Sequence, residues 1–204
     1  MIRFGIVRTG TGATTQCVRC PREPYGGHDS AEEILARVQH AVAEWPDGPG
    51  PNISLRGPEP LGHPEIERII NETIGFGVER LSLVTNGVDL AHRGTAEGVA
   101  TARVTHLQLV ILAADAHSHD VLTGSPGSFD SAMTGLRVFR EVCDSLGVPY
   151  MLCGEVPVCS HNVEHMPGIV GLLAQNGVRS VALDLSRAPA SQNTEMWVEA
   201  ALDT

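Results

Sequence analysis

Positive charge is scarce in this 204-residue chain: 14 Lys and Arg stand against 24 Asp and Glu, a formal net charge of −10. Such a balance is ill suited to gripping nucleic-acid phosphates or an anionic membrane surface. Long apolar runs are lacking too, so no segment reads as a membrane span. The opening stretch, Met1 to Arg8, is too short and too charged for a signal peptide. The expectation is a soluble, cytoplasmic protein. There is no internal repeat, no low-complexity tract, no Gly-rich phosphate loop, no nucleophile elbow and no useful pair of carboxylates. Cysteine is present as an odd set, Cys17, Cys20, Cys143, Cys153 and Cys159. That does not suit a secreted disulfide framework, and a close pair in a reducing compartment reads as metal-binding or redox-active. What remains is a composition of 42% hydrophobic and 19% charged residues, enough to bury one core. A single domain over residues 1–204 is expected.

Strand-like and helix-like stretches alternate along the chain. Arg3 to Val7 reads as a first strand. Ser30 and Glu33 form a capping box, after which Ile34, Leu35, Val38, Val42 and Trp45 share one helical face. Ile53 to Leu55 is a second strand, and a helix with the stripe Ile66, Ile69, Ile70 and Ile74 is expected to open at Gly62 to Glu65 and stop at Gly77. Leu81 to Val84 is a third strand and Asp89 to Arg103 is weakly helical. Leu107 to Leu112 is a fourth strand, apolar enough for burial on both faces. A long helix follows over Phe129 to Leu146, then a strand over Tyr150 to Val158, a helix around Ile169 to Leu173, a strand over Val181 to Leu185 and a tail helix towards Thr204. Six strands with long crossovers imply a parallel α/β sheet, either an open doubly wound sheet or a partial barrel.

In both architectures ligands sit beyond the carboxyl ends of the strands, and the unusual residues of this chain fall there. After the first strand comes Thr14-Thr15-Gln16-Cys17-Val18-Arg19-Cys20-Pro21; after the second, Gly57-Pro58-Glu59-Pro60-Leu61-Gly62-His63-Pro64; after the third, Thr85-Asn86-Gly87; after the fourth, His119-Asp120 through Gly124 to Gly127-Ser128-Phe129; after the fifth, His161-Asn162. This ordered set resembles the radical S-adenosylmethionine superfamily, whose members carry a cysteine loop of the form T-x-x-C, then G-G-E-P with L-x-H-P, T-N-G, and H-D-x-x-x-G with G-S-F. The resemblance runs from about Ile2 to Leu185. It implies a partial (β/α)6 barrel like a TIM barrel, a 4Fe–4S cluster and S-adenosylmethionine, with Cys17 and Cys20 as metal ligands and Gly57, Glu59, Pro60, Asn86 and Asn162 at the cofactor.

The family spacing C-x-x-x-C-x-x-C, which holds a cluster through three thiolates, is incomplete. Aligning Cys17 and Cys20 as the last two ligands puts the first on Ala13; aligning Thr14-Thr15-Gln16-Cys17 with T-x-x-C puts the third on Glu23. The second alignment keeps more of the surrounding residues. Glu23 is a hard donor ill matched to a cluster iron. His28, Cys159 and His161 are the other candidates, a zinc site from Cys17, Cys20 and His28 or Glu23 is an alternative, and two reduced thiols left over from an ancestral motif is the plain reading. Pro58 replaces the second glycine of G-G-E-P. Ile111 falls where relatives place a serine-containing stretch. Asp115, His117, His119 and Asp120 form a polar cluster suited to metal or acid–base work, or simply to anchoring the loop before a Ser128 helix cap. Cys143 falls on an apolar helical face and Cys153 within a strand, both expected to be buried.

The functional expectation is a degenerate member of the family, catalytically silent or atypical. It would act as a binding protein for a protein partner or peptide at the open side of the barrel, in a modification or biosynthetic pathway. An active radical enzyme with an atypical third ligand, and a hydrolase or transferase reusing the mouth, are the alternatives. Larger relatives add cysteine-rich C-terminal extensions; no cysteine follows Cys159 here.

Overall fold

A computed structural model describes residues 4–11, 27–46 and 48–185. The cysteine loop, with Ala13, Cys17, Cys20 and Glu23, and the expected tail helix lie outside these residues. So does Arg3 of the expected first strand.

The order is β1 (Gly5–Arg8), β2 (Gly10–Thr11), β3 (Gly27–His28), α1 (Ala31–Ala43), β4 (Asn52–Arg56), α2 (Ile66–Gly75), β5 (Arg80–Thr85), α3 (Arg93–Thr101), β6 (His106–Val110), α4 (Ala116–Thr123), α5 (Ser128–Leu146), β7 (Met151–Pro157), α6 (Met166–Gln175) and β8 (Ser180–Asp184). The main sheet is β1-β4-β5-β6-β7-β8, all parallel. Strand order follows chain order without reversal, which is the barrel topology and not the doubly wound one. β2 and β3 form a small antiparallel pair that the residue pattern did not announce.

Side chains of a strand alternate between faces. Val7, Ile53, Leu55, Leu81, Leu83, Leu107, Leu109, Leu152 and Val156 join Ile34, Val38, Ile69, Ile70, Leu136, Phe139, Ile169 and Leu173 of the helices in one core. The alternate residues, among them Ser54, Arg56, Ser82, Gln108 and Glu155, therefore face the opposite, inner side. The sheet is curled over that side. The Phe4 ring, just before β1, meets the His106 ring of β6 edge-on with centroids 5.5 Å apart. Arg56 of β4 likewise pairs with Glu155 of β7. Each pair spans three strand steps, roughly 14 Å in a flat sheet, so the ring contact requires a concave surface.

The capping box forms: Glu33 N–H donates to Ser30 Oγ at 3.3 Å and Ser30 N–H to Glu33 Oε2 at 3.0 Å. Gly77 and Gly177 end their helices at φ 85° and 84°. Three expectations need correction. The helix expected to open at Gly62 to Glu65 starts at Ile66, because Pro60 to Gly62 makes a separate 3-10 turn. The stretch from His119, read as loop, is the second half of α4, capped by Asp115 and ended by Gly124 at φ 66°. α5 is entered from Gly127 at φ 79°, with Ser128 as its first residue and not its cap.

Candidate ligand site at the barrel mouth

Thr85-Asn86-Gly87 closes β5 as a turn built by its own side chains. Gly87 N–H donates to Thr85 Oγ1 at 3.0 Å and Val88 N–H to Asn86 Oδ1 at 2.9 Å. Gly87 sits at φ 78°, a conformation that side chains oppose. The turn is tied to the motif after β4. Glu59 accepts from Thr85 Oγ1 at 2.7 Å, from Asn86 N–H at 2.7 Å and from Leu61 N–H at 3.2 Å. The two motifs thus form one unit around a single carboxyl. Burial pushes that carboxyl up to about 7, against the three hydrogen bonds that favour its ionised form.

Glu59 and Asn86 line a cavity of about 430 Å³ with Val110, Leu112, His119 and Ser128. Its size suits a small-molecule pocket. The amide nitrogen of Asn86 donates to no described residue, so it is available to a ligand. His119 is buried, and its Nδ1 accepts from Leu112 N–H at 3.3 Å. The neutral ring then carries its proton on Nε2. Desolvation holds His119 below the ordinary histidine range, outweighing Asp120 and Asp115. Burial thus favours the uncharged form of both groups that face the pocket.

The other expected residues serve different ends. Gly57 does not line this cavity: a Cβ there would lie 2.5 Å from Thr9 Oγ1 and 3.0 Å from Thr9 N. Pro60 is buried at the start of the 3-10 turn. Asn162 is buried, accepts from Cys159 N–H at 2.7 Å and donates to Leu112 O and Pro157 O at 3.0 Å each. It clamps the ends of β6 and β7 together, beside a second hollow of about 290 Å³ that also touches Asp115 and His161. His63 donates from Nε2 to Asp29 O at 2.9 Å when its Nδ1 accepts from Glu65 N–H at 2.9 Å.

Ile111 is fully buried in the core behind the sheet, so it is not the mouth residue its alignment suggested; Val110 and Leu112 line the cavity. Asp115 and Asp120 are caps: Asp120 accepts from Phe129 N–H at 2.9 Å and from Ser128 Oγ at 3.0 Å. No group of three metal-ligating side chains occurs among the described residues. Cys143 is core, as expected. Cys153 is half-buried and accepts from Ser180 Oγ at 3.2 Å. Cys159 is not open to the mouth; it packs with Leu112, Ala113 and Leu122. Val88, Asp89 and Ser131 also line the cavity, and no periodicity or motif in the sequence marks them.

No family model matches the chain. Curated relatives do. It is 29% identical over 130 residues to the AdoMet-dependent heme synthase of Methanosarcina barkeri (strain Fusaro / DSM 804), covering 64% of this chain and 37% of that protein. It is 27% identical over 146 residues to the protein of that name from Nitratidesulfovibrio vulgaris, covering 69% and 37%. These relationships indicate the radical S-adenosylmethionine superfamily. Solved structures share the partial-barrel fold. Streptococcus suis SuiB bound to S-adenosylmethionine superposes with a TM-score of 0.68 at 17% identity, over 93% of this chain and 41% of that one. Native anSMEcpe with bound AdoMet and Cp18Cys peptide gives 0.65 at 16%, over 93% and 53%. The chain thus spans little more than a third of the curated relatives' length. No described helix is long and apolar enough to cross a membrane.

Proposed function

We propose that this chain is a radical S-adenosylmethionine-type barrel that does not generate radicals and works by binding another molecule through the open side of its barrel, within a modification or biosynthetic pathway. The donor set carries this reading. Cys17 and Cys20 are the cysteines of the loop after β1. Cys159, the thiol nearest in sequence to the mouth, is 1% exposed among apolar neighbours. Two thiolates do not fit a cluster that needs three. The 430 Å³ cavity does fit the polar end of S-adenosylmethionine: the Glu59 carboxyl suits an ammonium group, and the Asn86 amide a carboxylate. Pro58, without an N–H, weakens the match. A peptide or protein is the partner class we favour, since SuiB has been captured with the precursor peptide SuiA and anSMEcpe with the Cp18Cys peptide.

The test is anaerobic reconstitution with iron and sulfide, then incubation with dithionite and S-adenosylmethionine, with and without candidate partner proteins. The expected outcome is substoichiometric iron and no 5′-deoxyadenosine. About four irons per chain, with turnover lost in Cys17→Ser or Cys20→Ser, would instead establish an enzyme with an atypical third ligand. The likeness to heme synthases is what favours that second reading.

A further inference from the structure

Two arginines stand side by side on the inner face of the sheet. Arg8 ends β1 and Arg56 ends β4, and the two are register partners in a parallel pair. Their neighbours Val7 and Leu55 lie in the core behind the sheet, so both guanidinium groups project from the concave side. Like charges on adjacent strands oppose each other. Among the described residues only one of the two is compensated. Arg56 Nη2 pairs with Glu155 Oε2, and Gln108 Nε2 donates to the same oxygen at 2.8 Å. Arg8 is exposed and makes no ion pair or hydrogen bond to any described residue. Of the other titratable groups on this face, His106 is held below its usual range by burial and then by Arg80, and Asp184 ends β8 at the far edge of the sheet.

We infer that the concave face binds a carboxylate between Arg8 and Arg56. A carboxylate would compensate the second guanidinium in the planar geometry guanidinium favours. Glu155 and Gln108 hold the Arg56 head in place as positioning residues. All 14 Lys and Arg residues of the chain are arginine; what singles out these two is their register and the lack of a counter-charge for Arg8 among the described residues. The carboxylate belongs either to a small organic acid or to an acidic side chain of a peptide. This inference rests on the reading of the open side as a binding face, and it names the chemistry bound there.

Calorimetry on the full chain, without iron or S-adenosylmethionine, tests it with two probes: citrate, and a peptide with blocked ends and two glutamates. The same peptide with glutamines is the control. One carboxylate probe is expected to bind, its identity giving the source, and the glutamine peptide is not. Arg8→Gln and Arg56→Gln should each weaken binding at least tenfold, while Arg103→Gln should leave it unchanged. Arg8 lies outside the Glu155 pair, so its variant decides the matter even if Arg56→Gln misfolds. Failure of both probes to bind, or equal weakening by Arg8→Gln and Arg103→Gln, overturns the inference. Radical turnover, which would overturn the silent reading, leaves this result standing.

Discussion

Glu59 is held by three donors and still drawn towards protonation, because burial outweighs them. Its folded-state value of about 7 lies above the ordinary 4.5. Between those values the folded chain keeps a proton that the unfolded chain has released, so this residue's contribution is complete below pH 4.5 and is lost as pH rises through 7. The loss amounts to roughly 3 kcal/mol. Denaturant titrations from pH 4.5 to 8 should show this slope in the native chain and not in Glu59→Gln. Thr85→Val removes the hydroxyl that donates to Glu59 at 2.7 Å. It should push the Glu59 carboxyl higher still, moving the midpoint of that slope to higher pH. His119 runs the other way: lowered by desolvation, it contributes stability above the ordinary histidine range that is lost on acidification.

Asn162 and Gly135 act on whole elements. Asn162→Ala would remove the side-chain hydrogen bonds to Cys159 N–H, Leu112 O and Pro157 O, all tied by one side chain between β6 and β7. A loss of about 3 kcal/mol is expected from removing three buried hydrogen bonds, read as a lowered midpoint in urea. Gly135 lies in the middle of α5, where helix propensity alone favours alanine by about 1 kcal/mol. A Cβ there would collide with Gly87 O and come within 3.0 Å of Leu90 Cβ and 3.1 Å of Ala91 N. These are backbone or rigidly held atoms, and overpacking costs about 1–3 kcal/mol. Overpacking wins, so Gly135→Ala should lower the melting temperature despite the better helix former.

At the scale of the molecule, the sheet is a curved wall with a packed outer face and a polar inner one. Its mouth retains the Glu59 and Asn86 unit, but Pro58 offers no N–H there. Binding of S-adenosylmethionine to the iron-free chain should therefore be weaker than micromolar by calorimetry; micromolar affinity would mean that the cavity alone supplies what a cluster normally anchors.

The six strands of the main sheet, their order and five of the six helices were legible in the residues, because hydrophobic spacing and the capping and stop signals at Ser30, Glu33, Gly77 and Gly177 are local properties; α4 and the β2–β3 pair were not. The mouth motifs were legible too, as short strings at the ends of strands. Their roles were not. That Glu59 joins two motifs through Thr85 and Asn86, that Asn162 is consumed in clamping β6 to β7, and that Ile111 faces the core depended on which face of a curved sheet each residue occupies. Strand register and curvature arise from contacts between residues far apart in sequence, such as Phe4 with His106 and Arg56 with Glu155. The sequence by itself determined the alternation, the core stripes and the presence of two cysteines, Cys17 and Cys20, in the loop after β1. Only the tertiary structure decided that the sheet curls into a barrel wall and that Arg8 and Arg56 stand together on its inner face, because adjacency across strands is set by register and not by position along the chain.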